Sequence, residues 1–353
     1  MSYLNKIFKI LFYNCGIILI FIIILELFLG DWFDDKFENL LLSERNINKI
    51  YNFDFKYHKG YSIYKRDEHG FRIKNKVNYN NIDILFLGGS TVNQKFLNYD
   101  ETIVGILNEK VFKEKNVKAL NGGIDGISTI GHINSFESWL DKIDNLKPKF
   151  YIYFIGYNDH LRFNSQDPSY SMDMDDLNNQ LKTSAFIENK SFLINGLKKL
   201  KIYLFQKYNF KIGINKLNKK TIVYFDQRTT NKFSSWNTAS NKYENLTLND
   251  KIPYEKFKSD YLSLLEKLTK KVLDRNAQII YINQTSGQGL DVIKFVVANS
   301  IIEHCEKFKL KCINFAKDND LDFYDFYDNA HLNKKGALKA ASFLNKQLVE
   351  IIN

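Results

Sequence analysis

The chain has 353 residues, a formal net charge of +10 and a 15% share of aromatic side chains, enough for one large or two modest domains with a proper core. Its lysines are scattered and form no compact patch interleaved with aromatics, so the charge does not argue for a nucleic-acid partner. Three cysteines without a Cys-x-x-Cys, and histidines without a His-x-x-x-His, give no reason to expect a structural zinc site.

Residues 10–30 depart from globular composition. Their core, Gly16-Ile-Ile-Leu-Ile-Phe-Ile-Ile-Ile-Leu25, is uniformly apolar, and the whole run is about the length that spans a bilayer. Lys6 and Lys9 precede it and Asp31, Asp34 and Asp35 follow it, so the positive-inside rule places residues 1–9 in the cytoplasm. A cleaved signal peptide is the competing reading, but no small-x-small site follows and the apolar region is long for one. The expectation is an uncleaved single-pass anchor over 10–30, with all that follows outside the cytoplasm.

Residues 31–81 mix aromatic and charged side chains without clear periodicity and read as a juxtamembrane segment that wraps onto the main domain. Regularity begins with Ile82-Asp-Ile-Leu-Phe-Leu-Gly-Gly-Ser-Thr91, a short apolar run closing on two glycines and a serine. That pattern is a buried strand feeding a tight turn, and it sets Ser90 at the strand's carboxyl end, where open α/β sheets bind ligands. A helix is expected over 101–115, then a strand over 117–120 ending in Asn121-Gly-Gly-Ile-Asp-Gly126. A helix over 130–146 and a strand over 150–155 follow, the latter running into Gly156-Tyr-Asn-Asp159.

A long polar stretch, 160–251, interrupts the alternation with an expected helix at 192–208 and a strand-like run at 221–225. Beyond it come a helix over 254–275, a strand over 278–283, a helix over 292–308, a strand over 311–315 and a last helix over about 333–351. Five strands alternating with helices predict a parallel sheet covered on both faces, a flavodoxin-like three-layer α/β/α sandwich, with 160–251 as a helix-rich insertion. Cys305 and Cys312 flank a helix-to-strand connection; they could pair or remain two free thiols.

Polar clusters recur at strand ends and in loops on one side of this sheet: Ser90, Gly126, Asn158 and the pair Asp328 and His331. A serine becomes a useful nucleophile only when a base takes its proton and a third group orients that base. Asp328 and His331, three residues apart before a helix, suit those two roles. The oxyanion formed on attack needs preorganised donors, for which the Ser90 and Gly126 amides and the Asn158 side-chain amide are placed. His69, His132, His160 and His304 lack an acid partner at matched spacing, although His160 could line the pocket. Asp159 reads as a structural partner for its loop. Asp318-Asn-Asp-Leu-Asp322 begins like a calcium loop but has Phe323 at the sharp-turn glycine position, and reads as a solvated loop.

In order along the chain these blocks resemble those of the SGNH (GDSL-type) hydrolase superfamily. Gly88-Gly-Ser-Thr91 stands where the parent motif has Gly-Asp-Ser-Leu. Asn121-Gly-Gly-Ile-Asp-Gly126 is similar to the glycine block, Gly156-Tyr-Asn-Asp159 matches Gly-x-Asn-Asp, and Asp328-x-x-His331 matches the terminal block. Asp67-Glu-His-Gly-Phe-Arg72 also resembles a Gly-Phe-Arg segment of membrane-anchored members. The resemblance implies a hydrolase-like domain over 82–353 without a cofactor or metal. Its catalytic residues would be Ser90, Asp328 and His331, with Ser90, Gly126 and Asn158 lining the oxyanion hole. Anchored relatives act on cell-surface polysaccharides, which points to an esterase for O-acetyl groups of a glycan. Transfer of the acyl group to a sugar hydroxyl uses the same triad, and a non-catalytic glycan-binding or assembly protein is the alternative of a different class.

Overall fold

A strand buried on both faces needs apolar side chains at every position, because neither face meets water. The sequence 84–87, Ile-Leu-Phe-Leu, has that character, as do 151–154 and 279–282. The computed structural model describes residues 2–30, 32–33, 45–164 and 232–352, with residues 191–194, 196–197, 200, 203–204, 221–223 and 228 between them.

Helix α1 (Ser2–Leu29) comes first. Within it Asn5–Leu29 has a mean hydropathy of 2.6, is not buried against the rest of the chain, and is long and apolar enough to cross a membrane. Strands β1 (Asn48–Phe55) and β2 (His58–Lys65) form an antiparallel hairpin. The sequence shows no periodicity here because the buried residues of β1 are Ile50, Phe53 and Phe55, a spacing that does not alternate.

The main sheet is built from β3 (Ile84–Gly88), β4 (Ala119–Gly123), β5 (Phe150–Phe154), β6 (Gln278–Ile282) and β7 (Lys311–Ile313). All neighbours are parallel, in the order β4-β3-β5-β6-β7, the flavodoxin-like arrangement. Successive side chains of β3 point to opposite faces. Leu85 and Leu87 join a core with Phe136, Trp139, Leu265, Leu268 and Ile301. Ile84 and Phe86 join a second core with Val104, Leu107, Ala341, Leu344 and Leu348.

Short α2 (Ser90–Asn93) follows β3, and α3 (Ile103–Glu109), α4 (Val111–Glu114) and α5 (Thr129–Ser138) come before β5. Helices α6 (Trp236–Glu244), α7 (Leu248–Leu273), α8 (Val292–Phe308), α9 (Phe315–Asp318) and α10 (Lys334–Ile351) complete the layers. Helix α10 buries Ala337, Ala340, Ala341, Leu344 and Leu348, the stripe of an amphipathic helix against a sheet. Asn333 caps its start by accepting from the Gly336 amide at 3.0 Å, as short polar side chains do at helix N-termini.

The helix expected over 254–275 begins earlier, at Leu248, inside the expected insertion, and the strand expected over 311–315 ends at Ile313, with Phe315 opening α9. Three further expected elements differ from the structure, each for a tertiary reason. The helix over 101–115 breaks at Lys110, because Asn345 of α10 takes the Val111 amide at 3.1 Å. The helix over 130–146 stops at Ser138, where Trp139 turns to stack on Phe71, its ring nitrogen donating to the His69 carbonyl at 2.6 Å. The strand over 117–120 instead runs from Ala119 through Gly123, since its glycines pair with Leu87 and Gly88 through backbone alone. Cys305 and Cys312 are joined by a disulfide. Most of the stretch 160–251 lies outside the described residues; of the expected helix at 192–208, the described residues 192–194, 196–197, 200 and 203–204 are helical. Of the expected strand at 221–225, Ile222 pairs with β1, exchanging hydrogen bonds with Asn52 and Asp54 at 2.9 and 3.0 Å.

His132 is fully buried against the Tyr153 ring, and among the described residues neither ring nitrogen has a hydrogen-bond partner. Burial pushes its pKa down to about 3, from an ordinary 6.5. The folded state therefore keeps the ring neutral while the unfolded chain takes up a proton below pH 6.5, so stability is unaffected above that pH and is lost as pH falls towards 3. His132→Phe should remove this contribution. Comparing urea midpoints at pH 8 and pH 5, the variant should lose roughly 2 kcal/mol less than the parent chain.

Candidate active site

The carboxyl ends of β3, β4, β5 and β6 share one edge of the sheet, as parallel strands must. Ser90 opens α2 directly after β3, with Gly89 in the preceding cap position. A side chain at 89 would come within 2.6 Å of the Asn158 amide nitrogen, so glycine is what lets the serine loop lie against Asn158. That nitrogen donates one hydrogen to the Ile127 carbonyl at 2.8 Å and keeps a second for another acceptor. Gly126, at φ +80°, lies on the adjoining loop after β4, which is tied back by the Ile124 amide donating to Gly88 at 2.9 Å.

The loop before α10 supplies the other groups. Asp328 accepts from the Ala330 and His331 amides at 2.8 and 2.7 Å through one oxygen. Its second oxygen lies 2.7 Å from His331 Nδ1. On the far side of the ring, Nε2 lies 2.7 Å from Ser90 Oγ. The structure thus brings Ser90, His331 and Asp328 into one hydrogen-bonded line, with Asn158 against the serine loop.

The charges around this line are mutually consistent. Burial alone would raise the Asp328 carboxyl, but the His331 charge and hydrogen bond, helped by the two amides, hold it below its ordinary range. Burial alone would lower the His331 ring, but the Asp328 carboxylate outweighs it and raises the ring above the usual histidine value, with Asp125 adding and Lys95 subtracting. Asp125, beside Gly126, is half-exposed and paired with Lys95 Nζ at 2.6 Å. Asn93 also donates to it at 2.6 Å. Burial would raise the Asp125 carboxyl, but these partners keep it ionised.

The His160 Nδ1 meets the Tyr157 carbonyl, and burial and Lys294 push the ring's pKa down to about 4. Asp159 is buried, accepts from the Thr129 amide at 2.9 Å and so ties its loop to α5.

Sequence reasoning missed the support supplied by the hairpin. The Tyr327 ring stacks on His331 at 5.4 Å and 11°, and on Phe55 and His58 at 4.7 and 5.4 Å. The His58 ring also bonds to the Phe96 carbonyl at 2.8 Å, Ser62 donates to the Lys95 carbonyl at 2.9 Å, and Tyr64 donates to Asn93 at 3.0 Å. Arg72, fully buried, donates to the carbonyls of Asn93, Gln94 and Leu97. The available sequence hints were only that Tyr327 adjoins Asp328 and that Arg72 stands in the Gly-Phe-Arg segment.

No family model matches the chain, and no curated protein matches it. Among solved structures it is similar to an alpha/beta hydrolase from the metagenome of Lake Arreo, Spain, at 10% identity and a TM-score of 0.40, over 77% of this chain and 99% of that one. A mutant acetylxylan esterase from Geobacillus stearothermophilus gives 12% identity and 0.40, over 76% and 94%. A GDSL-like lipase from Bacteroides thetaiotaomicron gives 10% and 0.38, over 80% and 93%. Overlaps this distant carry no argument about chemistry, which has to rest on the site itself.

The raised His331 value can be checked directly. In an NMR titration the His331 ring should lose its proton above the ordinary 6.5. In Asp328→Asn the raising charge is gone while burial stays, so the midpoint should move down. An unchanged midpoint would mean that Asp328 does not govern the ring.

Proposed function

We propose that the chain is a serine-dependent acyl-ester hydrolase held at a membrane by α1, with residues 82–353 as its catalytic domain outside the cytoplasm. The observation that carries this reading is the line from Ser90 through His331 to Asp328, with both links at 2.7 Å. The ring nitrogen facing Ser90 takes the hydroxyl proton as the oxygen attacks an ester carbonyl. Asp328 holds the tautomer that leaves that nitrogen free and stabilises the imidazolium that forms. The Ser90 and Gly126 amides and the Asn158 side chain receive the developing oxyanion.

Collapse of that intermediate breaks the ester C–O bond, and His331 returns its proton to the departing alcohol oxygen. The acyl group is left on Ser90. Water deprotonated by the same ring then attacks it, releasing the acid and restoring the hydroxyl. The resemblance of the four blocks to the SGNH superfamily supports this sequence of steps, and its membrane-anchored members point to O-acetyl groups on a surface glycan as the substrate. A sugar hydroxyl in place of water would make the same groups an acyltransferase.

A soluble form starting near residue 45 should hydrolyse p-nitrophenyl acetate and take up a fluorophosphonate at Ser90, located by mass spectrometry. Ser90→Ala should lose both. Because the ring acts only when neutral, kcat/KM should fall as pH drops through the raised His331 value. A folded chain that takes up no label would overturn the hydrolase, and Ser90→Ala that still takes it up would overturn the nucleophile.

Membrane placement rests on the length and apolarity of Asn5–Leu29 and on the lysines before and aspartates after the apolar run. A phosphatase reporter that works only outside the cytoplasm, fused after Asn353, should be active, and the protein should sediment with membranes. Activity from a cytoplasm-only reporter in the same place would overturn this orientation.

A further inference from the structure

Gln284 lies two residues past β6, and its buried side-chain amide reaches across the end of β5 to the serine loop. Nε2 donates to Thr91 Oγ1 at 2.6 Å and to the Phe154 carbonyl at 2.8 Å. Oε1 accepts from the Tyr157 amide at 3.0 Å. A carbonyl can only accept and a backbone N–H can only donate, so these partners allow one orientation of the amide and use both its N–H groups. Thr91 follows Ser90, and Tyr157 precedes Asn158. The same turn meets the third catalytic segment, where the Gly287 amide donates to the Asn329 carbonyl at 2.8 Å. A Cβ at 287 would stand 2.2 Å from the Asp328 carbonyl oxygen.

We propose that Gln284 is a positioning residue that sets the spacing between the Ser90 loop and the Asn158 loop, and hence between nucleophile and oxyanion donor. This rests on the reading of Ser90 and Asn158 given above. The reason for a side chain is topological. In a parallel sheet the loops after β3 and β5 leave adjacent strands as independent excursions, and backbone pairing ends at Gly88 and Phe154. Beyond that point the register of the two loops is maintained by whatever bridges them. Gln284 bridges both from a third strand, so neither loop can shift without breaking one of its bonds. Misplacing an oxyanion donor costs turnover rather than substrate affinity, because the charge it meets exists only at and near the transition state.

The test uses Gln284→Leu, which keeps most of the volume and loses all three bonds, and the near-isosteric Thr91→Val, which removes one acceptor. Hydrogen–deuterium exchange of the unliganded protein is the first readout. In Gln284→Leu protection should fall together in segments 88–94 and 155–160, while β6 and α10 keep theirs. Loss in one segment only, or in neither, overturns the clamp whether or not the protein is an enzyme.

On p-nitrophenyl acetate, Gln284→Leu should lower kcat at least tenfold with KM within about twofold. Thr91→Val should move the same way by less and add little on top of Gln284→Leu. In an Asn158→Ala background the effect of Gln284→Leu should shrink to a few-fold, since the donor it positions is gone. Full multiplication of the two losses would overturn the coupling and leave Gln284 a structural residue. Should Gln284→Leu fail to fold, Thr91→Val in the two backgrounds decides the same question. Absence of Ser90-dependent turnover in the parent protein would count against the hydrolase, and the exchange result would still decide the clamp.

Discussion

The proposed chemistry depends on one hydrogen bond, 2.7 Å long, between Ser90 and a His331 ring that lies 241 residues further along the chain. Bringing such distant groups into contact costs chain entropy, and the contact itself is too small to offset it. The sheet does so by burying β3, β5 and β6 between two apolar cores. Because the strands are parallel, their carboxyl ends share an edge, and the loops leaving them meet there without further arrangement. The loop before α10 is delivered to the same edge by the apolar stripe of α10.

The rigidity of the site comes from polar groups that would be expensive if they were unsatisfied. The Arg72 guanidinium is wholly buried, among the described residues has no carboxylate partner, and burial lowers its pKa only to about 10, so it stays charged at neutral pH. Its cost is offset by the carbonyls of Asn93, Gln94 and Leu97, which have no strand or long helix to bond to. The two terminal nitrogens and the loop carbonyls therefore satisfy each other, and removing either leaves the other stranded. The Lys95–Asp125 pair beside Gly126 acts in a similar sense: it neutralises a carboxylate that would otherwise stand unopposed next to the amide expected to meet an oxyanion.

The hairpin of β1 and β2 belongs to the same support. Its aromatic face stacks through Tyr327 onto one side of the His331 ring, and its polar edge bonds the loop after α2. A ring gripped between a carboxylate at Nδ1 and an aromatic face has little freedom to turn, which keeps Nε2 directed at Ser90. The described residues 45–81 are thus part of the site's framework as well as a connection.

What the sequence by itself determined follows from rules of short range. Apolar runs of strand length, their alternation with helical patterns and the glycine-bounded turns were enough for a five-stranded parallel sheet with helices on both faces. They were also enough to put Ser90, Gly126, Asn158, Asp328 and His331 in loops at one side of it. The apolar run that became α1 was legible for the same reason, since length and hydropathy are local properties.

Only the tertiary structure decided where α3 and α5 stop, because Asn345 and Trp139 act there across more than local distance. It alone decided that Cys305 and Cys312 pair. It alone revealed the hairpin, whose buried residues follow the surface they pack on and not a period of two. The support of the site was invisible for the same cause: a glutamine, an arginine and a tyrosine acquire meaning only from the carbonyls, amides and rings that folding sets beside them. The sequence does not record those neighbours, since they come from segments as far apart as Phe55 and Tyr327.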